Sequence, residues 1–225
     1  MSFHFSIFPG LRRTGGALLL ALLAVAAAAQ DTLVHDASAL HPPAGARVAI
    51  VEFADMECPQ CAHDNPILQQ AVAQYHIPWV RHDFPLHQHI WSNQAAINAR
   101  WFDAARKGLG DEYRNAVFAS QISIYNLNVL NTFTQSFAKS HGVTLPFAVD
   151  PQGKFSALVK ADYDLGVRIG IDHTPTVWVV TEHSKGAPYI EVPTDLHNLY
   201  QVIDQALADT KAAAPAAAAK KPLKK

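Results

Sequence analysis

The chain contains two cysteines, and they stand together as Cys58-Pro59-Gln60-Cys61. With no third thiol to compete, the pair can open and close one small disulfide ring, so the chemistry it suggests is thiol–disulfide exchange. A thiolate, not a thiol, attacks in that reaction, and whatever scaffold carries the pair must stabilise negative charge on one sulfur. Two other uses stay open at the level of the residues. A Cys-x-x-Cys pair is half of a four-ligand zinc site, and two soft thiolates suit Cu(I), with His82, His87, His89 or His173 as candidate neighbours. His87-Gln88-His89 is the most suggestive piece, although none of the 12 histidines pairs tightly across a second turn. The pair could also be a structural staple, but a stabilising bridge is expected to close a longer loop, where more entropy is removed from the unfolded chain.

The elements that must position these thiols follow from periodicity and punctuation. Val48-Ala49-Ile50-Val51-Glu52-Phe53 is β-rich and almost continuously apolar, the pattern of a buried central strand. Asp55-Met56-Glu57 is a short loop, and Pro59 fits the first turn of a helix, where its missing N–H costs nothing. The helix runs to about Tyr75, with Pro66 inside it predicting a kink near Asp64-Asn65. Pro78 to Asp83 reads as a second strand, which makes residues 48–89 a βαβ unit with the cysteines at the N-terminus of its helix. Residues 90–170 change to a helical pattern, with Trp91, Trp101, Phe102, Phe118, Tyr125, Phe133 and Phe137 as the expected core. Residues 171–210 read as ββα: strands Thr176 to Thr181 and Tyr189 to Val192 joined by a Ser184-Lys185-Gly186 turn, then a helix beginning at Thr194.

The ends of the chain describe its compartment. Met1 to Thr14 carries Arg12 and Arg13 without an acid, Gly15 to Val25 is apolar, and Ala27-Ala28-Ala29 supplies small residues. Residues 1–29 therefore read as a secretory signal cut near Ala29, which places the mature chain in a periplasmic or secreted location where disulfides persist. Residues 30–47 are a linker. Residues 211–225, alanine, proline and lysine, lack the apolar bulk to order themselves. Between residues 31 and 210, 11 basic residues face 19 acids, a balance near −8 that disfavours nucleic acid as a partner.

Strand, Cys-Pro-x-Cys, proline-bearing helix, strand, helical insertion, Thr-Pro before a hairpin, and final helix together resemble the DsbA-like thiol:disulfide oxidoreductases of the thioredoxin superfamily, over roughly residues 45–208. Three spacings carry the resemblance: Glu52 six residues before Cys58, Pro66 eight after it, and Thr174-Pro175 where the family has its cis-proline loop. The fold implied is α/β, a thioredoxin fold with the helical insertion between its second and third strands. The resemblance makes Cys58 the nucleophile and Cys61 its shielded partner. It makes Glu52 a buried acid that accepts the Cys61 proton, and Thr174 and Pro175 the substrate-binding loop. Pro59 and Gln60 tune the site, where Gln60 departs from the charged histidine of the most oxidising members. Asp55, Glu57 and Asp64 lie near Cys58 in sequence and would oppose a thiolate, with His63 offsetting them in part. The implied cofactor set is none beyond the Cys58-Cys61 disulfide, and no metal. The implied partners are exported proteins bearing thiols and a membrane redox partner, either a quinone-linked oxidase or a reductase. Direction depends on that partner, so reductase and isomerase remain alternatives. Residues 31–47 are too short for the N-terminal dimerisation domain that secreted isomerases of this superfamily usually carry.

Overall fold

The computed structural model describes residues 40–182, 189–193 and 195–212. The expected signal, residues 30–39 of the linker, the Ser184-Lys185-Gly186 turn, Thr194 and the tail from residue 213 lie outside the described residues. The elements run β1 (Val48–Ala54), α1 (Pro59–Tyr75), β2 (Trp79–Asp83), α2 (Ser92–Ala105), α3 (Leu109–Ser120), α4 (Leu127–Ser140), α5 (Lys154–Arg168), β3 (Thr176–Thr181), β4 (Tyr189–Val192) and α6 (Leu199–Ala212). The fold is the expected mixed α/β arrangement. A four-stranded sheet is ordered β2-β1-β3-β4, with β1 parallel to β2, and β1–β3 and β3–β4 antiparallel.

Because successive side chains of a strand point to opposite faces, the apolar run of β1 serves two cores. Val48 and Ile50 pack with Leu68 and Ala71 of α1 and with Leu199 and Ile203 of α6. Ala49, Val51 and Phe53 pack on the other face with Phe84, Ile169, Trp178 and Val180, joined by Leu40 from the segment expected to be a linker. Parity assigns Glu52 to the first face, under α1. This is why one carboxylate interrupts an otherwise apolar central strand at a point where a helix covers it.

The helical insertion has a third core, and that core includes the thiols. Met56, Cys58 and Cys61 pack in one cluster with Trp91, Phe102, Tyr113, Phe118 and Phe137, while Trp101 and Phe133 are only partly buried around it. Tyr125, expected in this core, is instead 72 % exposed, with Ile122 and Leu127 also at the surface. A side chain beside a helix start escapes a periodicity argument, since the turn before the helix obeys no period.

A second difference concerns the last helix. It begins at Leu199 rather than Thr194, and it continues through Lys211 and Ala212 of the segment assigned to the tail. Leu196 has φ 52, a left-handed conformation incompatible with a right-handed helix. The turn is closed by Leu196 N donating to Pro193 O at 2.8 Å and Leu199 N donating to Leu196 O at 3.1 Å. Leu196 is nonetheless buried, so the apolar spacing was real but spanned a turn as well as a helix.

The insertion is held to the sheet by Asp83 at the end of β2. Its carboxylate accepts hydrogen bonds from Arg100 of α2 (2.6 Å) and Arg114 of α3 (3.0 Å), while Arg100 also binds Asp162 of α5. Burial alone would raise the Asp83 pKa, but Arg114 and Arg100 overcome it and hold the group below its ordinary value. A depressed carboxyl contributes stability above its unfolded pKa and loses it as pH falls through the folded one. Asp83→Asn, which leaves two guanidinium groups short of a counter-charge, is expected to lower stability by about 3–5 kcal/mol in urea unfolding. The deficit should shrink towards acid, and equal midpoints at pH 7 would reject this role.

Candidate active site

Helix α1 starts at the redox pair because Pro59 occupies its first turn and Cys58 its N-cap, at φ −76 and ψ 121. The first turn of a helix has N–H groups without intrahelical partners, and here the Gln60 and Cys61 N–H groups face the Cys58 sulfur. The Cys61 thiol donates to the same sulfur and makes the largest contribution, against the opposing effect of burial. The Thr174 hydroxyl, otherwise unpartnered, adds to it. Together they lower the Cys58 pKa from 9.0 to about 6. Cys61 is pushed well above the ordinary thiol value by burial first, and then by the proton it shares with Cys58. Cys58 retains 7 % of its surface exposed and Cys61 none. Both are free thiols.

The loop before β3 closes the site from the other side. The Thr174-Pro175 peptide is cis, and the Thr174 carbonyl accepts from Cys58 Sγ at 3.3 Å. Thr174 is half-buried and Pro175 buried. One backbone carbonyl of the bend before β3 thus lies against the sulfur.

Glu52 is fully buried, and its pKa is raised from 4.5 to about 7, chiefly by desolvation, with Arg81 opposing and Asp64 reinforcing the shift. Its charge also acts on Cys61. Neither carboxylate oxygen has a hydrogen-bond partner within bonding distance among the described residues, although the Trp79 indole N–H, also unsatisfied, faces the carboxylate and opposes the shift. The register pairs Glu52 with Arg81 across β1 and β2, and Arg81 Nε lies 3.6 Å from Glu52 Oε2. Arg81 donates to Asn65 of α1 and Asn115 of α3, both at 3.0 Å, with its guanidinium carbon 4.1 Å from the centre of the Trp79 ring.

The acids near the thiols in sequence have other tasks than expected. Asp55 accepts from Glu57 N (2.7 Å), Leu86 N (2.6 Å) and His89 Nδ1 (2.7 Å). Glu57 accepts from Trp91 N and Ser92 N, capping the start of α2. Gln60 directs its side-chain amide to Asp64 Oδ1 at 2.8 Å, so its influence on Cys58 runs through its backbone N–H. Asp64 itself is buried, with His63 Nδ1 2.9 Å from Oδ1. Of the histidines weighed for copper, His82 pairs with Asp162, His87 with Tyr163, His89 with Asp55 and His173 with Asp172.

Two contributors escaped the sequence reading, and a third was read only in part. Gln121 follows α3, and its amide donates to the carbonyls of Met56 (2.8 Å) and Cys58 (3.0 Å), tying the insertion to the redox loop. Nothing local marks it, because the contact spans more than 60 residues of chain. Arg81 could have been flagged as a charge within an otherwise β-rich strand. Asp64, read as a charge opposing the thiolate, has an inward position that the spacing could have shown, since Cys61, Asp64, Asn65 and Leu68 share the buried face of α1.

The family profile described as thioredoxin matches residues 43–192. No curated protein sequence matches the chain. Among solved structures, alpha-DsbA1 from Wolbachia pipientis is similar at 18 % identity and a TM-score of 0.61, covering 75 % of this chain and 89 % of that one. BdbD from Bacillus subtilis is similar at 20 % identity and 0.58, covering 75 % and 90 %. A periplasmic thioredoxin-like protein from Salmonella enterica serovar Typhimurium is similar at 21 % and 0.56, covering 72 % and 84 %. At these identities the likeness is one of fold.

Cys58 is expected to titrate with a midpoint near 6 when alkylation rate or thiolate absorbance is followed against pH, whereas Cys61 stays protonated through that range. The sign for stability follows: a lowered thiol pKa stabilises the folded, reduced chain above the ordinary value and loses that contribution as pH falls through about 6. A Cys58 midpoint at an ordinary thiol value would contradict the geometry.

Proposed function

Because this chain belongs to the thioredoxin family, we propose that it is a DsbA-like thiol:disulfide oxidoreductase that hands the Cys58-Cys61 disulfide to exported proteins carrying free thiols. The observation that carries this reading is the Cys58 sulfur itself, held at the N-terminus of α1 against the Thr174 carbonyl, with its pKa lowered to about 6. A sulfur that bears negative charge this readily is a good leaving group as well as an attacking one.

The cycle follows from the two thiols' unequal surroundings. A substrate thiolate attacks Cys58 Sγ, the Cys58–Cys61 bond breaks, and the electron pair leaves on Cys61. The Cys61 thiolate is costly where it is buried and takes a proton from Glu52, whose pKa of about 7 suits it to give one near neutral pH. A second substrate thiolate then attacks the substrate sulfur of the mixed disulfide, and Cys58 departs as the thiolate that the α1 N–H groups stabilise. The substrate leaves oxidised by two electrons, which the enzyme holds as a Cys58 thiolate and a Cys61 thiol. An extended substrate segment is positioned by pairing with the backbone at Thr174, beside Pro175. Pro59 sets the helix start, and Gln60 contributes its N–H without adding positive charge.

An N-terminal signal read over residues 1–29 and cut near Ala29 would place this action in the periplasm or outside the cell, and one of the similar structures is described as periplasmic. Reoxidation then falls to a membrane partner, a quinone-linked oxidase. With a reductase in that place the same steps run backwards. No cofactor beyond the disulfide enters the cycle.

Cys58→Ser is expected to abolish both insulin reduction and the refolding of a reduced substrate, while Cys61→Ser accumulates a mixed disulfide that mass spectrometry detects. Equilibration with glutathione buffers should place the potential between the thioredoxin and DsbA values of about −270 and about −120 mV. Exchange activity surviving in Cys58→Ser would overturn the assignment, and a potential outside the window would overturn its oxidising range.

A further inference from the structure

The cycle requires Glu52 to gain and lose one proton per turnover, yet Glu52 has no exposed surface. A second buried carboxylate lies close by. Asp64 is also 0 % exposed, one helical turn beyond Cys61 on the inward face of α1, where an apolar residue would normally complete the core. Its two oxygens differ. Oδ1 takes the Gln60 amide at 2.8 Å and lies 2.9 Å from His63 Nδ1, while Oδ2 is buried and unpartnered. His63 keeps 66 % of its side chain exposed, so its ring bridges the buried acid and solvent.

The inward side of Asp64 faces the same region as Glu52. Asn65, its neighbour in α1, binds Arg81 at 3.0 Å, and Arg81 Nε lies 3.6 Å from Glu52. The Asp64 charge also acts on Glu52. Glu52 Oε1 and Oε2, Asp64 Oδ2, Arg81 Nε and Trp79 Nε1 are all buried without a hydrogen-bond partner within bonding distance among the described residues, and Trp79 acts on Glu52. Buried polar groups of this kind are ordinarily satisfied by internal water with two to four hydrogen bonds, and three acceptors with two donors make a suitable set.

We propose that Asp64 and His63 form the route by which Glu52 exchanges its proton with solvent, through water held between the two buried carboxylates. The inference rests on the exchange cycle above. When Cys61 must attack, its proton passes to Glu52 as the Cys61–Cys58 bond forms. The Glu52 proton then moves through the water to the Asp64 carboxylate, the resulting carboxyl passes that proton to His63 Nδ1, and the imidazolium gives its Nε2 proton to bulk solvent. In the opposite half-cycle the sequence reverses. The groups facing this route are Cys61 and Gln60 from α1, Arg81 and the Trp79 indole N–H from β2 with Asp111 beside Arg81, and Arg114 from α3. Both arginines are paired in turn, Arg81 with Asp111 and Arg114 with Asp83, Asp103 and Asp111.

The test is single-turnover oxidation of the reduced, full-length protein by 5,5′-dithiobis(2-nitrobenzoate) in stopped flow. The first thionitrobenzoate released reports attack by Cys58, and the second reports ring closure by Cys61. Asp64→Asn is expected to leave the first phase in place and slow the second by about tenfold near pH 7, a modest share of what general acid–base groups contribute. His63→Ala, at an exposed position, should slow the second phase too, and imidazole added to the buffer should restore it where sodium chloride does not. Second phases at the wild-type rate in both variants, or a slowed His63→Ala that imidazole fails to rescue, would overturn the relay. A wild-type protein lacking the second phase would instead sink the exchange cycle itself.

Discussion

Negative charge held away from water at the junction of β1 and α1 is the constraint around which the rest is arranged. Three acids meet there, and their surroundings push them apart. The Cys58 sulfur lies where helix N–H groups point and is lowered to about 6. Glu52, on the strand beneath, meets few donors and is raised to about 7. Cys61, between them and fully buried, is raised well above an ordinary thiol. Each unit of such a shift is about 1.4 kcal/mol of preference for one protonation state, so neighbouring acids acquire separate roles. One sulfur is kept charged and the other protonated, with a carboxyl beside it that exchanges its proton near neutral pH.

This arrangement makes the helical insertion part of the site rather than an addition to it. The core of the insertion extends to Met56, Cys58 and Cys61. Gln121 fastens the carbonyls of Met56 and Cys58, and Glu57 caps the helix that follows β2. Asp55 draws the β2–α2 loop towards the redox turn through Leu86 and His89. Acids that would repel a thiolate if left free are thereby committed to backbone donors and an imidazole. Asp83 does comparable work lower down, joining the end of β2 to α2 and α3 through Arg100 and Arg114.

Legibility varied with the range of the interaction. The buried central strand, the helix start at Pro59, the parallel β1–β2 pairing and the hairpin strands were readable, because each depends on neighbours in sequence or on a crossover of the right length. The start of α6 was not, since apolar residues at helical spacing also populate the turn at Leu196. Nor was the surface position of Tyr125. The buried state of Asp64 was half visible in the i, i+3 spacing from Cys61, but a polar residue at a core-facing position looks the same as one at a helix rim until the sheet beneath it is placed.

From residue order alone came the thiol pair, its place at a helix mouth, the acid six residues earlier and the Thr-Pro step, since each of these is a local pattern written along the backbone. The folded arrangement alone chose the partners: Arg81 beside Glu52, Gln121 over the redox loop, and Asp64 turned inward with His63 outward. The physical reason is that desolvation and Coulomb forces depend on distance through space and on what surrounds a charge. Segments far apart along the chain supply those surroundings, and only their packing brings them together.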